Sequence, residues 1–356
     1  MINLDSQDEI KKIDKGGILS SIERLPYQIS QAWEEVNKLN IPQECLLSKN
    51  VVISGMGGSA LGGRIIDSLI PDRVRTPIEV FTEFHLPNYV NKETLVVLSS
   101  YSGNTQETLS AGHEAIKRGA TIFCVTTGGK LKEFANENSL PSYIFEPKEN
   151  PSNQPRMGLG YSIASILAIL TKCEFITIGS DEIRGVIELL NNFLKEYGVT
   201  CSQNSNLAKL TAKKLLKRIP ILIASEHLVG SVHSFKNQLN ENSKTFSALF
   251  DIPEANHHLM EGLRNPAQAK EFLHLLFFES ALYSSDVKIR YPITREVVEK
   301  NEIETSVYTL RSDKKLLQIF ETLIFGSYVS FYLAMLYAVD PAPIPWVDYF
   351  KEKIAR

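Results

Sequence analysis

Two loops rich in small and hydroxyl-bearing residues could bind an anion. The glycine loop GMGGSALGG, at positions 55–63, follows the apolar run that begins at Val51. The serine loop SSYSGNTQET, at positions 99–108, follows the apolar run that begins at Thr94. A strand that ends in such a loop and continues into a helix presents free backbone N–H groups and the positive end of the helix dipole. Both loops therefore predict a site for a phosphate group.

The glycine loop is compatible with other interpretations. Gly55, Gly57 and Ala60 fit only the relaxed form of the dinucleotide-binding fingerprint, and Glu83 is the only acidic candidate for a ribose ligand after the next predicted strand. No Gly-Lys-Ser/Thr sequence follows, so the Walker pattern is absent. A purely structural turn also remains open, because glycines alone suffice for one.

The serine loop holds more hydroxyl groups than a helix start needs. Thr105 stands where it could cap the following helix, and one Ser or Thr is enough for that purpose. Ser100, Tyr101 and Ser102 add three further hydroxyl groups within six positions. This excess favours a neutral cradle that holds a phosphate through hydrogen bonds and a helix dipole, without a lysine.

Alternating strands and helices must position these loops. Short apolar runs bounded by Gly, Pro or Ser read as buried strands, and their alternation with helical segments predicts parallel βαβ units. The predicted strands are residues 51–55, 78–82, 94–100, 121–126 and 142–146 in a first unit, and residues 219–225, 245–250, 272–278 and 306–310 in a second.

The chain divides into an N-terminal helical segment and two α/β units of similar length. The helical segment covers residues 1–47, the first unit 48–195 and the second unit 207–356, with a polar linker at 196–206. Apolar helices are predicted at 161–172 and at about 315–338. The fold class is α/β, with two mostly parallel sheets, each flanked by helices as an αβα sandwich.

Composition narrows the range of functions. The 356 residues carry a formal charge of −3, which provides no broad basic field for nucleic acid. The four cysteines are spread singly, which argues against a disulfide framework or a zinc site and suits a reducing cytoplasm. The N-terminus lacks an apolar signal sequence, and the uncharged run 323–339 is shorter than a membrane span. We therefore expect a cytoplasmic protein with no membrane or nucleic-acid partner.

Besides the two loops, five later motifs occur in an order that is typical of a known family. The two loops closely resemble those of the sugar isomerase (SIS) domain, whose serine-rich loop binds the phosphate of a phosphosugar. The whole chain from about residue 48 resembles the bifunctional phosphoglucose/phosphomannose isomerase family, which has two SIS domains and forms a dimer. The later motifs are QPR at 154–156, NENSK at 240–244, PEANHH at 253–258, VDP at 339–341 and DYFK at 348–351.

The resemblance implies a role for ten residues. Glu241 matches the general base, His257 the ring-opening residue, Arg156 the cation beside the enediolate and Lys351 a lysine at the sugar. The substrate and phosphate contacts are Gly57, Gly58, Ser59, Ser100, Ser102 and Thr105. Ile344 departs from the pattern, because some members carry a threonine there that is proposed to help with mannose 6-phosphate.

The implied reaction interconverts glucose 6-phosphate, and mannose 6-phosphate, with fructose 6-phosphate through a shared enediol. A carboxylate moves the proton between C1 and C2, a histidine opens the ring, and an arginine stabilises the developing charge, so no metal or redox cofactor is required. The expected partners are a hexose 6-phosphate substrate and a second copy of the chain, with His257 donated across the dimer. Another SIS phosphosugar isomerase, or a sugar-phosphate sensor without turnover, remains an alternative. The motifs NENSK and PEANHH disfavour another SIS isomerase. The lack of a DNA-binding segment before residue 48 disfavours a sugar-phosphate sensor.

Overall fold

Two parallel β-sheets form the framework of the chain. The computed structural model describes residues 2–69, 74 and 76–354. The strands in this described part are β1 (Asn50–Ser54), β2 (Ile78–Phe81), β3 (Thr94–Ser100), β4 (Thr121–Thr126), β5 (Ser142–Ile144), β6 (Ile219–Ala224), β7 (Ala248–Asp251), β8 (Leu273–Glu279) and β9 (Glu304–Thr309).

Helices connect and cover the strands. The α-helices in the described residues are α1 (Gln7–Ile13), α2 (Ile18–Glu23), α3 (Leu25–Lys38), α4 (Gln43–Leu46), α5 (Gly58–Leu69), α6 (Gln106–Lys117), α7 (Gly129–Glu137), α8 (Leu159–Lys172), α9 (Ser180–Tyr197), α10 (Leu207–Leu215), α11 (Val229–Glu241), α12 (Leu259–Gly262), α13 (Ala269–Phe272), α14 (Ser285–Lys288), α15 (Arg290–Lys300), α16 (Lys315–Leu336) and α17 (Pro345–Ile354). Short 3₁₀ helices lie at Pro155–Met157, Glu226–Leu228 and Glu254–His257.

The first sheet has the strand order β2-β1-β3-β4-β5, with every pair parallel. Every residue of the central strand β3 is buried, as the apolar run at its centre, residues 95–98, predicts. The chain order reverses between β1 and β3. Ligands of open parallel sheets bind outside the carboxyl ends of the strands at such a switch point, and both predicted loops start there.

The second sheet repeats the arrangement with the order β7-β6-β8-β9, again entirely parallel. The predicted α/β class with two helix-flanked parallel sheets is therefore confirmed. The strand predicted at 245–250 was placed too early, since β7 begins only at Ala248. The preceding residues form an irregular connection instead, in which Thr245 N–H donates to the carbonyl of Leu239 (3.1 Å) and Ser247 Oγ donates to that of Lys236 (3.1 Å).

The N-terminal segment is helical but is divided into several helices. Ile18, Ile22, Leu25, Ile29 and Trp33 are all buried, as their spacing predicts. They belong to two helices, α2 and α3, which are separated at Arg24. Helix α3 then packs along α8 and also contacts α9.

Helix α16 is the central core helix of the second unit. By length and composition it could cross a membrane, but 94% of its most apolar window is buried inside the protein. It packs against α9, α10 and α11. Such burial on all sides identifies the apolar run as a core helix.

The linker predicted at 196–206 is anchored rather than free. Helix α9 continues to Tyr197, and buried Lys209 then donates to the carbonyl oxygens of Val199 and Cys201, both at 2.8 Å. Buried Asn206 donates to the carbonyl of Tyr197 at 2.9 Å. These bonds hold the connection against the second unit, and the division into units at this segment stays a prediction.

Helices α5 and α11 join the two units in antiparallel orientation. Near the start of α11, Gly230 N–H donates to Ser68 Oγ near the end of α5 (3.2 Å). At the opposite ends, Glu241 and Gly58 line the same cavity. The packing of the two helices therefore brings the last residue of α11 to the glycine loop.

Candidate active site

The glycine loop forms a turn that is hydrogen-bonded to the serine loop. Gly57 has a φ of +52°, a left-handed conformation that glycine adopts without strain. Ser59, in the first turn of α5, accepts a hydrogen bond at its Oγ from the backbone N–H of Tyr101 (2.9 Å). The glycine loop and the serine loop are thus tied to each other at the carboxyl ends of β1 and β3.

The serine loop depends on a glycine at its centre. Gly103 has a φ of +71°, and a Cβ atom there would lie 1.8 Å from the carbonyl oxygen of Gly128. Asn104 N–H donates to Ser102 Oγ (3.3 Å), and its side-chain oxygen accepts from the N–H of Lys130 (3.3 Å). The loop is therefore a fixed turn between β3 and α6.

Thr105 occupies the N-cap position of α6 without capping the helix. Its side chain makes no hydrogen bond to the first turn of α6 and instead pairs with Ser100 Oγ at 2.8 Å. The N–H groups of Gln106 and Glu107 have no acceptor within the helix. An anion at this helix start would meet these donors and the positive end of the dipole.

Arg156 is a buried cation held by four hydrogen bonds. Its guanidinium donates to Asn242 Oδ1 (2.8 Å), to Gln154 Oε1 (2.9 Å) and to the carbonyl oxygens of Pro341 and Ala342, both at 2.8 Å. Burial lowers its pKa, while the negative charges of Glu241 and Asp348 oppose this effect. A guanidinium keeps its proton at neutral pH even when its pKa falls, so the site holds a fixed positive charge.

The N-terminal helices hold the segment that carries Arg156. Gln28 on α3 is fully buried and donates to the carbonyl oxygens of Glu149 and Met157, both at 2.9 Å. Its side-chain oxygen accepts from the N–H of Gly160 at 3.1 Å. One side chain therefore satisfies three backbone groups on both sides of Arg156.

Glu241 is the last residue of α11, and its carboxylate lies beside Arg156. Oε2 is 3.6 Å from Arg156 Nη1, and the carboxylate accepts no hydrogen bond from any described residue. Burial raises the pKa of Glu241, and the positive charges of Arg156, Lys244 and Lys351 oppose this only in part. The carboxylate is therefore more basic than an ordinary glutamate and has its lone pairs available.

The C-terminal helix α17 forms an outer wall of the site. None of its residues is buried, and Trp346 and Phe350 are 82% and 61% exposed. Lys351 and Ile344, with the apolar side chains of Val347 and Phe350, face the same cavity as Glu241. The wall is thus apolar with a single cation, Lys351.

A cavity of about 590 Å³ joins these parts. Eight of the ten residues predicted for the site line it, namely Gly57, Gly58, Ser59, Ser102, Thr105, Arg156, Glu241 and Lys351. Ser100 is buried beneath it and contributes indirectly, through its bonds to Thr105 and to the N–H of Gly103 (3.1 Å). The volume is sufficient for one small ligand.

His257 does not line this cavity within a single chain. It lies on the surface of the second unit, at the end of the 3₁₀ helix Glu254–His257, and is exposed. The adjacent Asn256 donates to Thr294 on α15 (2.7 Å), which fixes the segment to the outside of that unit. The single chain therefore does not bring His257 together with the other predicted site residues.

Several residues of the site were not assigned a role from the sequence. Gln154, Asn242 and Lys244 stand within the motifs QPR and NENSK, next to residues that were assigned, so their positions could have suggested them. Gln28 gave no such signal, because nothing in the sequence links α3 to a loop more than a hundred positions later.

Comparisons with known proteins place the chain among phosphosugar isomerases. A family model described as bacterial phospho-glucose isomerase C-terminal SIS domain matches residues 204–354. The bifunctional phosphoglucose/phosphomannose isomerase of Caldicellulosiruptor bescii is 33% identical, over 95% of this chain and 99% of that protein. The protein of the same name from Aquifex aeolicus is 30% identical, over 91% of this chain and 94% of that protein. The crystal structure of a hypothetical protein from Thermus thermophilus shares the fold, with a TM-score of 0.75, 16% identity and coverage of 97% of this chain and 91% of that one.

Proposed function

The chain belongs to the bifunctional phosphoglucose/phosphomannose isomerase family and is a phosphosugar isomerase, and we propose that it interconverts glucose 6-phosphate and mannose 6-phosphate with fructose 6-phosphate. One observation carries this proposal. A basic carboxylate, Glu241, shares a single cavity with the start of α6 and with the buried cation Arg156. A proton-transfer group, a phosphate cradle and a charge stabiliser are thus available to one small ligand.

The phosphate is bound by the serine loop. The donors are the hydroxyl groups of Ser102 and Thr105 and the free N–H groups at the start of α6, and the helix dipole adds a favourable field. Ser100 holds Thr105 in place through the hydrogen bond between their hydroxyl groups. Because these donors are neutral, the cationic side chains of the cavity remain available for the reacting end of the sugar.

Glu241 transfers the proton between C1 and C2. In the direction of the ketose, its carboxylate removes the hydrogen on C2 of the open aldose, which leaves an enediolate, and returns the proton to C1. C2 is trigonal in that intermediate, so glucose 6-phosphate and mannose 6-phosphate, which differ only at C2, give the same enediolate. The raised pKa of Glu241 supports this role, because a stronger base removes a carbon-bound proton more readily.

Arg156 and Lys351 stabilise the charge of the enediolate. The guanidinium is fixed by four hydrogen bonds before the substrate arrives, so no reorganisation is needed as charge develops on the sugar oxygens. Lys351, on α17, adds a second positive charge to the cavity. Both groups act electrostatically and give the enediolate a counter-charge from the protein itself.

Ring opening requires His257 of the partner subunit in a homodimer. The surface around His257 supports such an interface, because Ile289 at the start of α15 and Ile293 within it are 64% and 55% exposed. Thr294 in the same helix binds Asn256, so these apolar side chains adjoin the His257 segment. An imidazole can both accept and donate a proton, so it can carry one between the ring oxygen and O1.

The enzyme works in the cytoplasm. All four cysteines are free, and Cys45, Cys124 and Cys173 are buried. A chain built around reduced, buried thiols suits a reducing compartment. We also expect the hexose 6-phosphate substrate to be present in the cytoplasm.

A coupled assay with fructose 6-phosphate tests the function. We expect both glucose 6-phosphate and mannose 6-phosphate to form, and we expect turnover to continue in the presence of EDTA. The variant Glu241→Gln is the matched control, since it keeps the shape of the site and removes the base. No aldose product would contradict the proposal, and so would activity that is lost with chelator and restored by zinc.

The two aldose products can be separated further through Ile344. This residue lines the cavity and is apolar where some family members carry a threonine. We expect Ile344→Thr to raise the ratio of mannose 6-phosphate to glucose 6-phosphate formed. An unchanged ratio would show that position 344 does not contribute to discrimination at C2.

A further inference from the structure

Lys244 connects the segment that carries Glu241 to the segment that leads into α17. Its Nζ donates to the carbonyl oxygen of Glu241 (2.5 Å) and to that of Pro341 (3.1 Å). The carbonyl of Pro341 also accepts from Arg156 at 2.8 Å. Two cations therefore share one acceptor at the turn that precedes the Lys351 helix.

The main chain at Lys244 is unusual for a lysine. Its φ is +56°, in the left-handed region that glycine and asparagine occupy more readily. The residue also follows the end of α11, where the last carbonyl groups have no partner within the helix. A lysine at this position supplies a charged donor to one of those carbonyls and complements the negative end of the helix dipole.

We propose that Lys244 is a positioning residue for the isomerase reaction, which clamps the main chain of Glu241 to the turn at Pro341 and so fixes the base relative to Arg156 and Lys351. The inference rests on the proposed role of Glu241. A misplacement of about 1 Å in a reacting group can reduce the rate by about a hundredfold, so a clamp on the base affects turnover more than substrate binding.

The charges around Lys244 make the clamp sensitive to pH. Arg156, Asp340 and Glu241 are close enough to the ammonium group to interact with it electrostatically. On the outer side, Lys217 and Arg218 line a separate open cavity of about 450 Å³ together with Lys244. Partial burial of the ammonium group and the positive charge of Arg156 lower the pKa of Lys244 to about 8, against the opposing effect of the two carboxylates.

Loss of the proton weakens the clamp. A neutral amine is a poorer donor than an ammonium group, so the contacts with the carbonyls of Glu241 and Pro341 weaken as the pH rises. The lysine residue as a whole is exposed, so it equilibrates freely with solvent protons. The clamp therefore predicts that kcat declines above about pH 8.

Two variants and one control test the inference. Lys244→Met removes the ammonium group, and Lys244→Arg keeps a charge that does not titrate in this range. Lys217→Met is the matched control, because Lys217 lines the same outer cavity and makes no side-chain hydrogen bond to a described residue. The measurements are kcat, KM and the pH profile from 6 to 10, with thermal unfolding recorded for each variant.

We expect Lys244→Met to lower kcat about 10- to 100-fold with KM within about twofold, while Lys217→Met behaves as the wild type. The alkaline decline should vanish in Lys244→Met and move to higher pH in Lys244→Arg. Wild-type kcat and pH profile in Lys244→Met would overturn the inference. If Lys244→Met does not fold, the pH profile of kcat in Lys244→Arg tests the inference instead. An alkaline decline at the same pH as in the wild type would then overturn it.

Glu241→Gln separates failure of this inference from failure of the proposed function. An active Glu241→Gln enzyme contradicts the function of Glu241 and, with it, the purpose of the clamp. An inactive Glu241→Gln enzyme beside an unaffected Lys244→Met enzyme contradicts only the clamp.

Discussion

Arg156 and Glu241 form an ion pair in which Nη1 and Oε2 lie 3.6 Å apart, a distance too long for a hydrogen bond. Arg156 is bound by Gln154, Asn242 and two backbone carbonyl groups. Glu241 accepts no hydrogen bond from a described residue. The cation is therefore fixed while the carboxylate remains free to accept a proton, which is the arrangement that an enediolate mechanism requires.

The raised pKa of Glu241 predicts the acid limb of the pH profile. The base must be ionised to accept a proton, so activity is lost as the pH falls through its pKa. Burial raises that pKa, so we expect the acid limb of kcat to lie above the ordinary value for glutamate, about 4.3. Inhibition by a hexitol 6-phosphate over the same pH range controls for titration of the phosphate. An acid limb at the ordinary value would contradict the assignment.

Arg156→Lys tests whether the guanidinium geometry matters. A lysine keeps the charge but cannot satisfy Asn242, Gln154 and the carbonyl groups of Pro341 and Ala342 together. We expect kcat to fall by about 10²- to 10³-fold, as for loss of one preorganised electrostatic donor. Steady-state kinetics in both directions provide the measurement. Unchanged kcat would show that a positive charge alone is enough or that Arg156 is not at the reacting atoms.

Substitution of the serine loop should affect binding more than turnover. Combined change of Ser100, Ser102 and Thr105 to Ala removes the hydroxyl groups around the start of α6 but leaves Glu241 and Arg156 in place. KM should rise, because the lost contacts are to the phosphate and not to the reacting carbons. Ser110→Ala, on the same helix and outside the cavity, is the control. An unaltered KM in the triple variant would place the phosphate elsewhere.

Mixing two inactive variants tests whether the site is shared between subunits. Glu241→Gln keeps His257, and His257→Ala keeps Glu241, so each supplies what the other lacks. Refolded together in equal amounts, they should recover about a quarter of wild-type activity, because each mixed two-fold dimer would contain one intact site. No recovery, with mixed dimers confirmed by mass, would show that His257 acts within its own chain or not at all.

The fold and most of the cavity could be predicted from the sequence because local signals carried them. Unbroken apolar runs gave the strands that are buried on both faces, and β3 and β4 were predicted with their observed bounds. The glycine and serine loops were identified from composition at the strand ends, and both line the cavity. Glu241 and Arg156, by contrast, were expected only because NENSK and QPR resemble motifs of the family, and the structure places the two side chains 3.6 Å apart.

Other parts depend on contacts that leave no local signal. Gln28 binds the segment around Arg156 from a helix more than a hundred positions earlier, and an isolated glutamine in an amphipathic helix resembles a surface residue. The carbonyl oxygens of Pro341 and Ala342, which bind Arg156, belong to the backbone and so have no side-chain signature. The pairing of Thr105 with Ser100 was also hidden, because Thr105 stands where a capping residue is expected.

Deuterium incorporation tests the role of Glu241 most directly. In D₂O, the wild-type enzyme should place solvent deuterium on C2 of the aldose formed from fructose 6-phosphate, because the enediolate is reprotonated by a group that exchanges with solvent. Glu241→Gln should still bind the sugar phosphate and should incorporate deuterium at least 10²-fold more slowly. Incorporation by Glu241→Gln at the wild-type rate would show that another group moves the proton and would contradict the account.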